Sequence, residues 1–173
     1  MSRYRPPRPK SSPYITPDGQ ARLASELKYL WKELRPEVTR KVSEAAAMGD
    51  RSENAEYIYG KKQLREIDSR IGFLSRRLDA LTVVDRHPPD TAKIFFGAWV
   101  TVEDASGTEH LYRLVGPDEF DQDPAYISID SPMARALLGK RLDDEVAVQT
   151  AERPQHYCIV AISYDPPAQE QTD

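Results

Sequence analysis

The sequence predicts an α+β protein: an N-terminal antiparallel coiled-coil helical hairpin followed by a small α+β domain. Three observations predict it. Leu64, Ile67, Ile71, Leu74, Leu78 and Leu81 recur three and four apart without a break, which is a heptad seam that must be buried against another helix. Leu23, Leu27, Leu30, Leu34 and Val38 repeat the same spacing just upstream, so the partner helix is at hand. After Asp85 the periodicity changes to short apolar runs separated by turn signals, as strands require.

Residues 1–17 hold five prolines and four basic residues and too little apolar surface to order themselves; they read as a disordered basic arm. The hairpin is expected over 18–84. Pro36 lies inside its first helix, and an interior proline removes one backbone bond and collides with the preceding turn, so an interruption is expected there before the helix runs on to about Ala47. The connection at Met48-Gly49-Asp50-Arg51-Ser52 is short enough to force the two helices antiparallel. At ~1.5 Å per residue, the first helix places this turn on the order of 45 Å from the base of the hairpin. Gly60 and Gly72 weaken the second helix by roughly 1 kcal/mol each relative to alanine, so packing must sustain it.

Residues 85–165 form the second domain. Ala98 to Val102 and His110 to Val115 flank the turn signal Asp104-Ala105-Ser106-Gly107, and further strands fit Glu145 to Thr150 and Tyr157 to Tyr164. Ser131 followed by Pro132, an apolar run and Gly139 has the cap, first-position proline and terminal glycine of one short helix. Residues 166–173 read as a disordered tail.

Composition narrows the function. The 173 residues are 39% hydrophobic and 30% charged, without an apolar stretch near the roughly 20 residues a membrane span needs, so a cytoplasmic protein with no membrane partner is expected. The single cysteine, Cys158, and three scattered histidines do not make a zinc site. The net charge of -4 conceals a division: residues 1–84 carry 17 Lys/Arg against 11 Asp/Glu, a net of +6, and residues 85–173 carry 7 against 17, a net of -10. A basic first half suits an anionic partner; solubilising charge on two faces is the plainer alternative.

The chemistry is concentrated at Gly49-Asp50-Arg51-Ser52-Glu53-Asn54-Ala55-Glu56-Tyr57. Asp50 and Glu53 are three apart, so at the start of the second helix they project together, with Tyr57 next on that face. Two convergent carboxylates attract a hard divalent cation, yet Mg²⁺ demands about six well-placed oxygens, so a partner would have to supply the others. The same Asp-x-x-Glu spacing also fits a capping box, in which both acids serve the helix end. Spacing alone leaves both readings open.

A resemblance bears on the choice. AAAMGDRSENAEYIYGKKQLREID, preceded by LKYLWKELRPEVTRKV and followed by FFGAWVTVED and AYISIDSPMARALL, resembles the Gre family of transcript cleavage factors, nearer its GreB branch, in unbroken order from about Tyr14 to Tyr164. The resemblance implies a hairpin that enters the secondary channel of bacterial RNA polymerase and a C-terminal domain of FK506-binding-protein-like fold that holds the channel rim. It implies that Asp50 and Glu53 reach the active centre of a backtracked complex, help hold a Mg²⁺ shared with the polymerase, and promote cleavage of the nascent RNA 3′ end. The chain would then be an activator and not an enzyme, expected as a monomer that binds no cofactor alone.

The resemblance also makes Arg40, Lys41, Lys61, Lys62, Arg65 and Arg70 candidates for contact with the RNA, and Asp130, Ser131 and Pro132 candidates for contact with the rim. Gln63 and Ser69 depart from it, standing where close relatives tend to carry arginine. The principal alternative is a secondary-channel binding protein without cleavage activity. A prolyl isomerase lacks an identifiable pocket signature here, and a stand-alone nuclease lacks enough metal ligands.

Overall fold

A computed structural model describes residues 10–49 and 53–167, and these divide into two units: a helical unit of Asp18–Leu81, and a sheet unit holding the residues up to Pro17 and from Thr82 onward. The helical unit comprises α1 (Pro17–Tyr29), a π-helical turn (Leu30–Leu34), α2 (Arg35–Ala47) and α3 (Ala55–Ala80). Pro17 occupies the first position of α1, where its missing N–H costs nothing.

The interruption expected at Pro36 takes the form of the π turn. The carbonyl four residues before a proline has no N–H to receive and meets the ring. Here that carbonyl belongs to Lys32, inside the wider turn, which closes with Arg35 N–H donating to the Leu30 carbonyl.

Pairings between the helices run in opposite directions along them. Asn54 reaches Ala45, Gly60 faces Val42, and Arg35 pairs with Asp68. The seam buries Val38 and Ala45 of α2 and Ile67 and Leu74 of α3, with Leu64, Ile71 and Leu78 half-buried beside them.

Gly60 has a role that its helix propensity conceals. A Cβ there would lie 2.6 Å from Val42 Cγ2, so its absence lets the helices approach. A helical valine is stiff at χ1 and cannot easily turn aside. Gly60→Ala is therefore expected to destabilise the chain by about 1 kcal/mol, overpacking outweighing the better propensity. Gly72→Ala, whose nearest obstacle is the flexible Arg76 guanidinium at 3.3 Å, is expected to stabilise by roughly 0.5–1 kcal/mol. Urea denaturation of the two variants reads the opposite signs directly.

In the sheet unit, β3 (Trp99–Asp104), β4 (Glu109–Val115), β5 (Tyr126–Ser128), β6 (Glu145–Val148) and β7 (Gln155–Ser163) form one sheet in the order β5-β4-β3-β7-β6. Within it only β4 and β5 run parallel. The β3–β7 register shifts between Thr101 and Val102, which leaves Val160 as the extra residue of a bulge. The core of Ile94, Val100, Val102, Leu114, Val146 and Ile159 is closed by Ala134 and Leu137 of α4 (Pro132–Leu137).

Asp104 organises the β3–β4 turn. Its carboxylate accepts from Ser106 N–H (2.9 Å), the Ser106 hydroxyl (2.6 Å), Thr108 N–H (3.1 Å) and His110 Nε2 (2.8 Å). The His110 ring above all, then Ser106 and Thr108, hold this carboxyl well below the usual carboxylate range. A depressed folded-state pKa contributes stability that is present above the ordinary carboxylate pKa of about 4 and is lost as pH falls through the lower folded value. Acid titration followed at the Ser106 and Thr108 amide resonances is expected to keep the turn closed well below about pH 4, and His110→Phe to open it at a higher pH.

The arm expected to be disordered over 1–17 requires correction within the described residues. β1 (Tyr14–Ile15) pairs in parallel with β2 (Thr82–Val83), and Ile15 is fully buried. Pro13 carbonyl accepts from Thr82 N–H at 2.7 Å, and Ile15 carbonyl accepts from Val84 N–H at 2.9 Å. Glu119, 2% exposed, anchors the segment: its carboxylate accepts from Thr16 N–H (3.1 Å), the Thr16 hydroxyl and Gly116 N–H (2.9 Å). Long-range hydrogen bonds supply the order that local hydrophobicity could not. Residues 82–84, read as the end of the hairpin, likewise belong to the sheet unit. Residues 1–9 and the tail from 168 lie outside the described residues.

Candidate functional site

The turn between α2 and α3 is built from two helix ends. α2 stops at Ala47, with Met48 N–H turned back to the Ala45 carbonyl at 3.2 Å. Gly49 follows at φ +154°, a conformation side-chain-bearing residues rarely adopt. Asp50 lies outside the described residues, as do Arg51 and Ser52.

Across the turn the cap of α3 is Asn54. Its Oδ1 accepts from Tyr57 N–H at 3.1 Å, and its Nδ2 donates to the Ala45 carbonyl at 2.7 Å, tying the start of one helix to the end of the other. Glu56 occupies the first turn, where the helix dipole favours a carboxylate. The expectation that Glu53 projects from the first helical turn is thus corrected: α3 begins at Ala55, and Glu53 precedes its cap. Its side chain is exposed and, among the described residues, has no hydrogen-bond or ion-pair partner. Asn54 performs the capping that the Asp-x-x-Glu spacing had offered to Asp50, with Glu53 reaching back.

The capping role of Asn54, a residue the sequence reading offered only as a neighbour orienting the acid pair, was missed because the adjacent acids matched a stronger pattern; an asparagine directly before a helix was the available signal. Asn54→Ala removes both bonds and is expected to cost about 1–2 kcal/mol, whereas Asn54→Asp keeps the cap, loses the tie to Ala45, and is expected to cost less. Thermal unfolding of both variants separates the cap from the tie. Met48 and Tyr59, 82% and 76% exposed, flank the turn as apolar surface the sequence reading did not single out.

The candidate basic residues fall into two groups. Arg40 pairs with Glu44 at 2.6 Å and Lys41 with Glu37 at 2.7 Å, both along α2. Arg70 Nε and Nη2 hold Glu26 at 2.6 and 3.0 Å, and its guanidinium lies 5.5 Å from the Phe73 ring centroid. That partner holds the Glu26 carboxyl below its ordinary pKa. Lys61, Lys62 and Arg65 are exposed and enter no ion pair among the described residues. Lys62, Arg65, Ser69, Arg70 and Phe73 line one shallow concavity along α3.

In the sheet unit Ser131 caps α4, accepting from Ala134 N–H at 3.2 Å, and Pro132 is exposed at the first helical position. Asp130 is not part of that cap. Its carboxylate accepts from Ser12 N–H at 2.9 Å and from the Ser12 hydroxyl. Among the described residues no three His, Cys, Asp or Glu side chains gather as a metal site, and no helix is long and apolar enough to cross a membrane.

A helical hairpin with an exposed acid at its turn, joined to a small mixed sheet unit, is the two-unit layout of a Gre-type transcription elongation factor. The family described as "Transcription elongation factor, N-terminal" matches residues 13–83, and that described as "Transcription elongation factor, GreA/GreB, C-term" matches residues 89–164. The chain belongs to the GreA/GreB family. It is 60% identical to transcription elongation factor GreB of Pseudomonas aeruginosa, over 96% of this chain and 99% of that one. It is 56% identical to transcription elongation factor GreB of Xanthomonas axonopodis, over 95% and 98%. The crystal structure of GreA factor homolog 1 of Thermus thermophilus is 27% identical, covering 87% of this chain and 97% of that one, at a TM-score of 0.39.

Proposed function

We propose that this chain rescues backtracked RNA polymerase by carrying Asp50 and Glu53 through the secondary channel to the enzyme's active centre, where they promote cleavage of the nascent RNA 3′ end. The observation that carries this reading is the division of labour at the turn. Asn54 caps α3, so Glu53 is left exposed, without a partner among the described residues, and available to a ligand.

Glu53 and Asp50 are hard oxygen donors of the kind Mg²⁺ prefers, and too few to hold it unaided. They would complete a site shared with the polymerase; the ion, when bound there, activates water for attack on a phosphodiester. The chain's part is to deliver and orient two carboxylates. The polymerase remains the enzyme.

Lys61, Lys62 and Arg65, which enter no ion pair among the described residues, are the residues best prepared for phosphates of the extruded RNA; Lys62 and Arg65 share their concavity with Arg70 and with the acid Glu66. Arg40 and Lys41 would first have to release exposed i,i+4 pairs, which are individually weak. Pro132, exposed beside the Ser131 cap, offers the rim contact, and Asp130 holds Ser12 against the same loop.

The test is direct. Purified protein added to a stalled, backtracked bacterial elongation complex with Mg²⁺ is expected to shorten the RNA from its 3′ end, and the same RNA without polymerase is expected to stay intact. Binding to the polymerase with unchanged RNA length would leave a channel-binding protein without cleavage activity.

A further inference from the structure

The sheet unit contains a guanidinium without a counter-charge. Arg113 of β4 has its Cζ 5.3 Å from the ring centroids of both Trp99 and Tyr126, and its Nη1 donates to the Tyr126 hydroxyl at 2.9 Å. Its Nε is buried with no acceptor, and no carboxylate of the described residues pairs with it. A buried donor without a partner is costly, although the guanidinium as a whole is only half-buried.

Arg113 lines a cavity of about 150 Å³ together with Asp85, Arg86, His87, Gly97 and Tyr164. Two arginines there face one acid. The Tyr164 hydroxyl is already committed, donating to the Lys93 carbonyl at 2.6 Å and accepting from Phe95 N–H at 2.9 Å. Gly97, at φ +85°, has open space where a side chain would stand.

We propose that this cavity binds a carboxylate, presented as an Asp or Glu side chain of a partner protein. A guanidinium donates short, charge-assisted hydrogen bonds to a carboxylate, and with Nε enclosed and Nη1 engaged by Tyr126 these fall to the remaining N–H groups of Arg113 and to Arg86. A cavity of this volume admits a group the size of benzene, which suits one side chain. The surrounding charge selects against a polyanion: residues 85–173 carry 7 Lys/Arg against 17 Asp/Glu, so a nucleic acid backbone is repelled where a single buried carboxylate is not.

This site stands whether or not the chain acts on RNA polymerase, and a small probe tests it on the full chain. Nitrogen-15 side-chain resonances are followed during titration with N-acetylglutamic acid α-amide at constant ionic strength. The Arg113 Nε–H signal is expected to shift to saturation with a Kd on the order of 1 mM. Arg86→Gln is expected to weaken that affinity several-fold, and Arg113→Lys to abolish the saturable shift at Arg86 while leaving the backbone spectrum otherwise intact. A shift that rises linearly, or that matches the exposed Arg153, overturns the site. Saturation by inorganic phosphate but not by the carboxylate overturns the ligand assignment.

Discussion

The pair Asp50→Asn and Glu53→Gln is expected to lower cleavage of backtracked RNA on the order of 10²-fold or more while leaving affinity for the polymerase within a factor of about two. Both replacements keep the shape of the side chain and remove only the charge, so the loss isolates what the carboxylates do. Fold stability is expected to hold, because the helix start depends on Asn54, whose bonds to Tyr57 and Ala45 involve neither acid. A cap supplied by Asp50 and Glu53 would give the opposite pattern: a lower unfolding midpoint with cleavage reduced only in proportion. Single-turnover cleavage measured at saturating factor, alongside urea denaturation, distinguishes the two. Undiminished cleavage by the double variant would remove the tip acids from the mechanism.

Gly116→Ala is expected to lower stability by about 3 kcal/mol, a larger loss than that of Gly60→Ala or Asn54→Ala. A Cβ at that position would lie 2.2 Å from the Tyr14 carbonyl oxygen and 3.1 Å from Glu119 Oε2. The first obstacle is backbone, which cannot rotate away as a side chain can. Relief requires that the β1 segment lift off, which breaks the Glu119 bonds to Thr16 and leaves buried donors unpaired at about 1–3 kcal/mol each. Hydrogen exchange locates the damage: Thr82 and Val84 amides, which donate to Pro13 and Ile15 carbonyls, should exchange faster, and amides of the β3–β7 pairing much less so. A variant within about 0.5 kcal/mol of the parent, the range of an ordinary surface substitution, would show that the segment contributes little. Glu119→Ala attacks the same anchor from the other side and is expected to fall near the same value.

The helical unit was legible because its information is local. A seam that repeats every three or four residues identifies a helix and its buried face together, and the short turn leaves one partner available. The strands on either side of Asp104 were legible for a similar reason, since a turn signal between alternating runs specifies both pairing and register. β1, β2 and β5 carried no such signal. Each is two or three residues long, and the pairing of β1 with β2 joins residues 14–15 to 82–83, a separation no periodicity can report. Gly60 read as a weak point in a helix, and only the position of Val42 makes it a contact. At the turn the acids were visible and their arrangement was not, because Asp-x-x-Glu describes a cap and a ligand pair equally well.

By itself, then, the chain's residue order determined two helices with one shared face, a following sheet unit, and the place where two carboxylates stand between the helices. Tertiary structure decided which residue caps α3, that the segment before Pro17 is a strand held by buried Glu119, and that Arg113 stacks on two rings without a carboxylate paired to it among the described residues. The physical reason is the range of the interactions. Helix faces and turns follow from neighbours a few residues apart, whereas hydrogen bonds such as Thr16 to Glu119, and stacking such as Arg113 on Trp99, exist only once distant segments have been brought together.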